Sequence, residues 1–485
     1  MSKQINSGGQ FHQSGRTQGE QRLAGNRHRR RVWQGVSLGL AAFLLASLVF
    51  APAGTAQRRA AARRLSSSTA QKATAASARN AALTATTATV LKDISRIREL
   101  SILHQVRSST QSRPEIQRML IKSLDEESSP AELHATEIMW KKLGLAPADF
   151  HFREFLIQLL TEQVAGYYEP KSKQFHVADW LDLDVQKPVM AHELTHALQD
   201  QHFNLGRFER WPKGDSDAEL AAHALVEGDA SLAMMLYVID DPLRSVALIK
   251  AMKAGSLGDS EQLDRAPRAL HESLLFPYTE GLAWATSVYK QGHWAAVSRA
   301  FTELPRSSEQ ILHVEKYFAH EAPVKVELTN ISNLLNTLGK PTASGKVWRR
   351  ADYDIMGEHG YYVILDEFLK SSDESKRAAA GWGGDRYALF EGPNGEVLLA
   401  MLSTWDTERD AREFFEAYAK RTERRYPHAG GEEGTGAGNP PDSLNRSWRT
   451  GGESVVMSLS GSRVMILEGL PAQANAKTIV KALGE

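Results

Sequence analysis

Cysteine is absent from the 485 residues. That excludes disulfides, cysteine-ligated metal centres, thiol catalysis and lipid attachment at an N-terminal cysteine. Export remains open, because a large domain can be stable without disulfides. Net charge is also lacking: 58 Lys and Arg stand against 58 Asp and Glu. There is no cation excess to meet a phosphate backbone, so no nucleic-acid partner is expected. No internal repeat of fixed period is present. What remains, 42% hydrophobic and 24% charged residues, is ordinary for globular chains, and the length suits two or three domains.

Residues 1–34 are polar and basic, ending near His28-Arg29-Arg30-Arg31, and are expected to be disordered. The uncharged stretch 35–56 follows, with its apolar heart from Val36 and small residues at Ala51, Ala53 and Ala56. A basic segment, an apolar run and small residues read as a signal peptide. The run also approaches the length of a membrane anchor, with the arginines on the cytoplasmic side. The remainder is therefore expected outside the cytoplasm: secreted, periplasmic or membrane-anchored. Residues 57–89, mostly Ala, Ser, Thr, Arg and Gln, read as a flexible linker because they offer little to a core.

From Val90 the pattern turns helical, with Leu91, Ile94, Ile97, Leu100, Leu103 and Val106 at steps of three and four. Further helices are expected near 114–126, 130–143, 150–166, 187–202, 216–239, 242–255, 266–302 and 307–317. GYYEP and QFHVAD, separated by Lys171-Ser172-Lys173, read as a hairpin. Past residue 345 a helix (357–371), glycine-rich GWGGDR (381–386), strands (387–391, 397–403), a helix (407–425), a Gly/Glu/Pro-rich loop (428–443), strands (453–460, 463–468) and a helix (473–483) suggest a compact α+β domain. The expected units are thus 90–335 and 345–485.

The segment Ala191-His192-Glu193-Leu194-Thr195-His196 carries H-E-x-x-H. On a helix the two imidazoles lie one turn apart and can hold one Zn²⁺. Glu193, beside the first of them, can take a proton from the attacking water. Met190, Leu194, Ala197 and Leu198 form the expected core stripe, and the histidines lie roughly opposite, facing a cleft. Two third ligands compete: Glu227, on a later helix, and His202, six residues after His196. The His202 spacing needs a helix-breaking glycine at the third position after His196, where Gln199 stands. Glu227 is preferred for that backbone reason. His223, four residues before Glu227, reads as packed or supporting.

The stretch 166–230 resembles the gluzincins, the thermolysin-like zinc metallopeptidases. GYYEPKSKQFHV, VMAHELTHALQDQHF and ALVEGDA together look like a family of exported bacterial neutral zinc metallopeptidase-like proteins, with FPYTEG (276–281), SSEQILHVEKY (307–317) and GWGGDR also fitting. The likeness spans roughly 90–470. It implies an α+β chain: a mainly helical zincin-like domain with a short hairpin or sheet, then a small α+β domain. It implies one zinc held by His192, His196 and Glu227, with Glu193 as the catalytic glutamate and a peptide or protein as substrate. The aspartate that thermolysin-like sites place four residues after the glutamate ligand is Ser231 here, and Asp229 should point elsewhere on an ideal helix. Asp200 stands as a candidate partner for the histidines.

Tyr278, His313 and Tyr317 are candidate oxyanion donors, GYYEP a candidate substrate-binding edge strand, and GWGGDR a candidate binding loop. The expectation is an exported zinc endopeptidase. The alternatives are a noncatalytic extracytoplasmic binding or scaffold protein with a structural or vestigial zinc site, and a zinc hydrolase acting on a non-peptide amide.

Overall fold

The computed structural model describes residues 69–211, 213–246, 261–338, 346–429, 431–434 and 444–484. The basic segment and the apolar stretch 35–56 lie outside the described residues, as do much of the helix expected at 242–255 and of the loop expected at 428–443.

The chain is α+β. Helix α1 (Thr69–Arg98) begins inside the stretch expected as a linker. Its large apolar residues are few but fall on one face: Leu83, Val90, Leu91 and Ile94 are all at most 1% exposed. They pack in the core that holds Met190, Leu194 and Leu198, which offsets the ordering cost of an Ala/Ser/Thr-rich helix. The helix ends at Arg98, earlier than the spacing suggested. Glu99 turns to positive φ, and the Ser95 hydroxyl donates to the Leu100 carbonyl at 2.6 Å. Leu103 and Val106 lie beyond it, and polar Arg107–Gln111 forms strand β1.

Helices α2 (Arg113–Glu127) and α3 (Pro130–Leu143) each open on a capping box, Ser112 with Glu115 and Ser129 with Glu132, and each carries proline in the first turn. These caps satisfy end N–H groups that a helix leaves unpaired. After α4 (Phe152–Gln163) comes the expected hairpin, β2 (Gly166–Glu169) antiparallel to β3 (Gln174–Ala178). Strand β1 joins β3 in parallel, for the order β1-β3-β2. Then follow α5 (Leu183–Phe203), α6 (Ser216–Asp240) and α7 (Arg268–Ala300), with the short α8 (Ser308–Leu312) and α9 (Val314–Phe318) broken at His313. Among the described residues α6 alone is long and apolar enough to cross a membrane, but its apolar window is 78% buried in this fold.

The C-terminal part is an antiparallel sheet of seven strands, β4-β5-β6-β10-β9-β8-β7, where β4 is Arg349–Asp354, β5 Trp382–Glu391, β6 Val397–Trp405, β7 Gly431–Gly434, β8 Leu444–Arg449, β9 Glu453–Ser460 and β10 Arg463–Pro471. Within GWGGDR, Gly381 is a turn residue and Trp382–Arg386 is strand, not loop. Its Asp385 accepts from the Met356 and Gly357 amides and the Trp382 indole at 2.9–3.0 Å, and its Arg386 donates to the carbonyls of Val326 and Gly214. The two expected domains do not have separate cores. Trp140, Leu156 and Leu160 share one cluster with Leu365, Leu399, Phe414 and Tyr418. Helix α3 packs on strands β4, β6 and β10, so the N-terminal helices help to cover that face of the sheet.

Candidate metal centre

Helix α5 is built to be enclosed. Residues 189–199 are all buried, with α1 packed on one side and α6 on another. The histidines consequently face Glu227 of α6 and not an open cleft: His192, Glu193 and His196 are each 0% exposed and Glu227 1%. This corrects the amphipathic picture. The helix has an apolar stripe, but its opposite face is covered as well.

Three ligand-type atoms converge there. His192 Nε2 lies 3.0 Å from Glu227 Oε2, His196 Nε2 3.4 Å from the same oxygen, and the two Nε2 atoms 3.1 Å apart. Bonds of about 2.0–2.1 Å to one tetrahedral ion separate ligand atoms by about 3.3–3.4 Å. The triangle is slightly tighter than that and chemically complete: two imidazoles and a carboxylate. Glu193 stands beside it. Its Oε2 accepts the Tyr168 amide of strand β2 at 2.9 Å, and its Oε1 is buried with no hydrogen-bond partner. These residues fit a zinc ion.

The electrostatics follow from enclosure. Burial opposes charge on Glu227, yet the two imidazoles overcome it and bring its pKa down to about 2. Burial also opposes charge on His196, yet Glu227 lifts that ring to about 9. Burial holds His192 below its usual value and raises Glu193 well above the ordinary carboxylate range.

Of the two competing third ligands, Glu227 is in the cluster and His202 is not. His202 Nε2 contacts the Ser101 carbonyl at 2.7 Å. Asp200 does not reach the histidines; it accepts from the Tyr168 hydroxyl at 2.9 Å and the Leu205 amide at 3.0 Å. Ser231 is buried without a hydrogen bond, and so is His192 Nδ1. His223, one turn before Glu227, is buried and kept neutral, down to about 4. Among the oxyanion candidates only Tyr278 is close: its hydroxyl bonds the Glu227 carboxylate, and its ring centre is 6.3 Å from that of His192. His313 bonds Glu358 at 2.9 Å, and Tyr317 the Glu303 carbonyl at 2.9 Å.

Sequence reasoning missed the support of His196. Its Nδ1 meets Gln199 Oε1 at 2.8 Å, Gln199 Nε2 donates to Asp229 Oδ2 at 2.9 Å, and Asp229 Oδ1 accepts from Arg98 Nε at 2.6 Å. Asp229 therefore does turn toward the site, reaching it through Gln199. The signal was one turn of spacing: Gln199 follows His196 by three, a helical neighbour.

A family model described as a domain of unknown function (DUF8575) matches residues 345–480, the C-terminal sheet and its helices. No curated protein and no solved structure matches the chain.

Proposed function

We propose that the protein is a zinc-dependent metallopeptidase of gluzincin type, acting outside the cytoplasm on peptide or protein substrates. The observation that carries the reading is the convergence of His192 Nε2, His196 Nε2 and Glu227 Oε2 beside an unpartnered Glu193 oxygen. His192, His196 and Glu227 would hold the ion. When bound, zinc supplies a Lewis acid that polarises the scissile carbonyl and acidifies water. Glu193, beside the ligand His192, would take a proton from the attacking water and pass it to the leaving amine. Tyr278 holds the Glu227 carboxylate and keeps its orientation. Strand β2 brings its backbone to Glu193 through Tyr168, so a peptide lying beside it would be presented to the same carboxylate.

One observation favours a second reading. The four site residues are at most 1% exposed, as suits a noncatalytic protein with a structural zinc. Substrate entry on the first reading requires the β2–α5 contact to part. Zinc by elemental analysis and casein cleavage, measured on one sample, separate the two. Zinc near one per chain with cleavage supports the peptidase. Zinc without cleavage under varied conditions supports the structural site, and absence of zinc removes both.

A further inference from the structure

Three buried polar groups from three helices lead to one of the proposed ligands. Arg98 closes α1, Gln199 lies on α5 beyond the motif, and Asp229 follows Glu227 by two on α6; each is 0% exposed, as is His196. We propose that Arg98, Asp229 and Gln199 form a positioning relay that keeps the proton of His196 on Nδ1 and leaves Nε2 for the metal. The helix that follows the apolar N-terminal segment is then part of the metal site. The inference rests on the reading of His192, His196 and Glu227 as zinc ligands.

The polarity of the chain is forced by what each group can do. A guanidinium only donates, so Asp229 Oδ1 accepts from Arg98 Nε at 2.6 Å. Arg98 is itself fixed, with NH1 on the Ser298 hydroxyl at 3.1 Å and its guanidinium 4.5 Å from the Trp294 ring centre. Asp229 Oδ2 accepts one hydrogen of Gln199 Nε2 at 2.9 Å, and the Val226 carbonyl accepts at 3.0 Å. Neither acceptor has a hydrogen to offer. The Gln199 amide nitrogen must face them, and its oxygen must face His196 Nδ1 at 2.8 Å. That nitrogen must carry hydrogen. In the neutral ring the lone pair then sits on Nε2, the atom aimed at Glu227. A second partner of a ligand histidine fixes ring and tautomer in this way. Here a glutamine stands between the aspartate and the ring and transmits it.

The test inverts the chain. In Asp229→Asn, Arg98 holds the amide oxygen and the new NH₂ faces Gln199. This draws the Gln199 oxygen toward the new amide, against the Val226 carbonyl, and its nitrogen toward His196, which drives the ring proton to Nε2. Zinc affinity, measured by chelator competition, should fall about 10–100-fold, the usual effect of losing such a partner. In ¹⁵N spectra of the metal-free protein, the neutral His196 ring should change from the Nδ1–H to the Nε2–H form. Gln199→Ala should lose zinc affinity to a similar degree, and adding Asp229→Asn to it should cost little more. Arg98→Lys, which keeps a donor, should stay nearer wild type. If Asp229→Asn fails to fold, Gln199→Ala and the wild-type ring spectrum decide. Wild-type zinc affinity in either folded variant, or a wild-type His196 whose neutral ring, above about pH 9, carries its proton on Nε2, overturns the relay. A wild-type ring protonated on Nδ1 in a protein that binds no zinc overturns the metal reading instead.

Discussion

Gly228 and Gly281 meet backbone to backbone where α6 crosses α7: a β-carbon on Gly228 would lie 2.1 Å from the Gly281 carbonyl oxygen, and one on Gly281 would lie 2.4 Å from that of Ala224. No side chain fits there. The crossing also sets the site, since Gly228 adjoins Glu227 and Gly281 is one turn from Tyr278, whose hydroxyl reaches that carboxylate. Gly281→Ala should push the helices apart, lower stability by about 1–3 kcal/mol, the cost of overpacking, and weaken zinc binding with it. Urea unfolding and chelator competition measure the two. Wild-type values for both would contradict this packing.

The choice of third ligand is directly testable. Glu227→Ala removes the carboxylate that both imidazoles face, so zinc occupancy should fall sharply. His202→Ala removes only a contact with the Ser101 carbonyl and should leave occupancy near wild type. Elemental analysis of both variants checks this, and the reverse pattern would make His202 the ligand.

Zinc affinity should depend on pH with a definite sign. In the metal-free protein, Glu227 lifts His196 to about 9 while staying ionised itself, down to about 2. Below about 9 zinc must displace a proton from His196, so affinity should rise about tenfold per pH unit and level off above that pH. His192, held low by burial, adds no slope near neutrality. Chelator competition between pH 6 and 10 measures the slope, and a flat profile from 6 to 9 would contradict it.

The shared core predicts a remote sensitivity. Arg421 of helix α10 (Glu408–Arg425) and Glu468 of β10 are an ion pair, both 0% exposed, with the Tyr418 hydroxyl on Glu468 at 2.7 Å. Arg421 also donates to the Leu143 carbonyl at the end of α3, tying the N-terminal helices to the sheet. Arg421→Met leaves Glu468 with the Tyr418 hydroxyl and, as its remaining cation among the described residues, the largely buried Arg425. It should cost about 3–5 kcal/mol. A single cooperative unfolding transition at lower urea is expected; two transitions, with one at the wild-type position, would mean that the halves fold separately.

The local features were legible. H-E-x-x-H, the hairpin and most helices follow from spacing, caps and aromatic runs, and Gln199 turned the choice from His202 to Glu227 by favouring a continued helix, which α5 does as far as Phe203. Helix α1 was not legible before Val90, because Leu83 is its only large apolar anchor there and a single anchor makes no period. Strand β1, Arg-Ser-Ser-Thr-Gln, has no apolar alternation and becomes a strand only because β3 offers it an edge. The Arg98–Asp229–Gln199 chain links residues 131 and 30 positions apart, a relation that only packing creates.

The most direct test is Glu193→Gln, with zinc content and peptide turnover measured on the same preparations as wild type. The substitution nearly keeps size and removes proton acceptance. The expected result is zinc near one per chain in both proteins and hydrolysis reduced by at least about 10²–10⁴ in the variant, the scale of general acid–base catalysis. A zinc-loaded Glu193→Gln protein that retains most of its turnover would contradict the account.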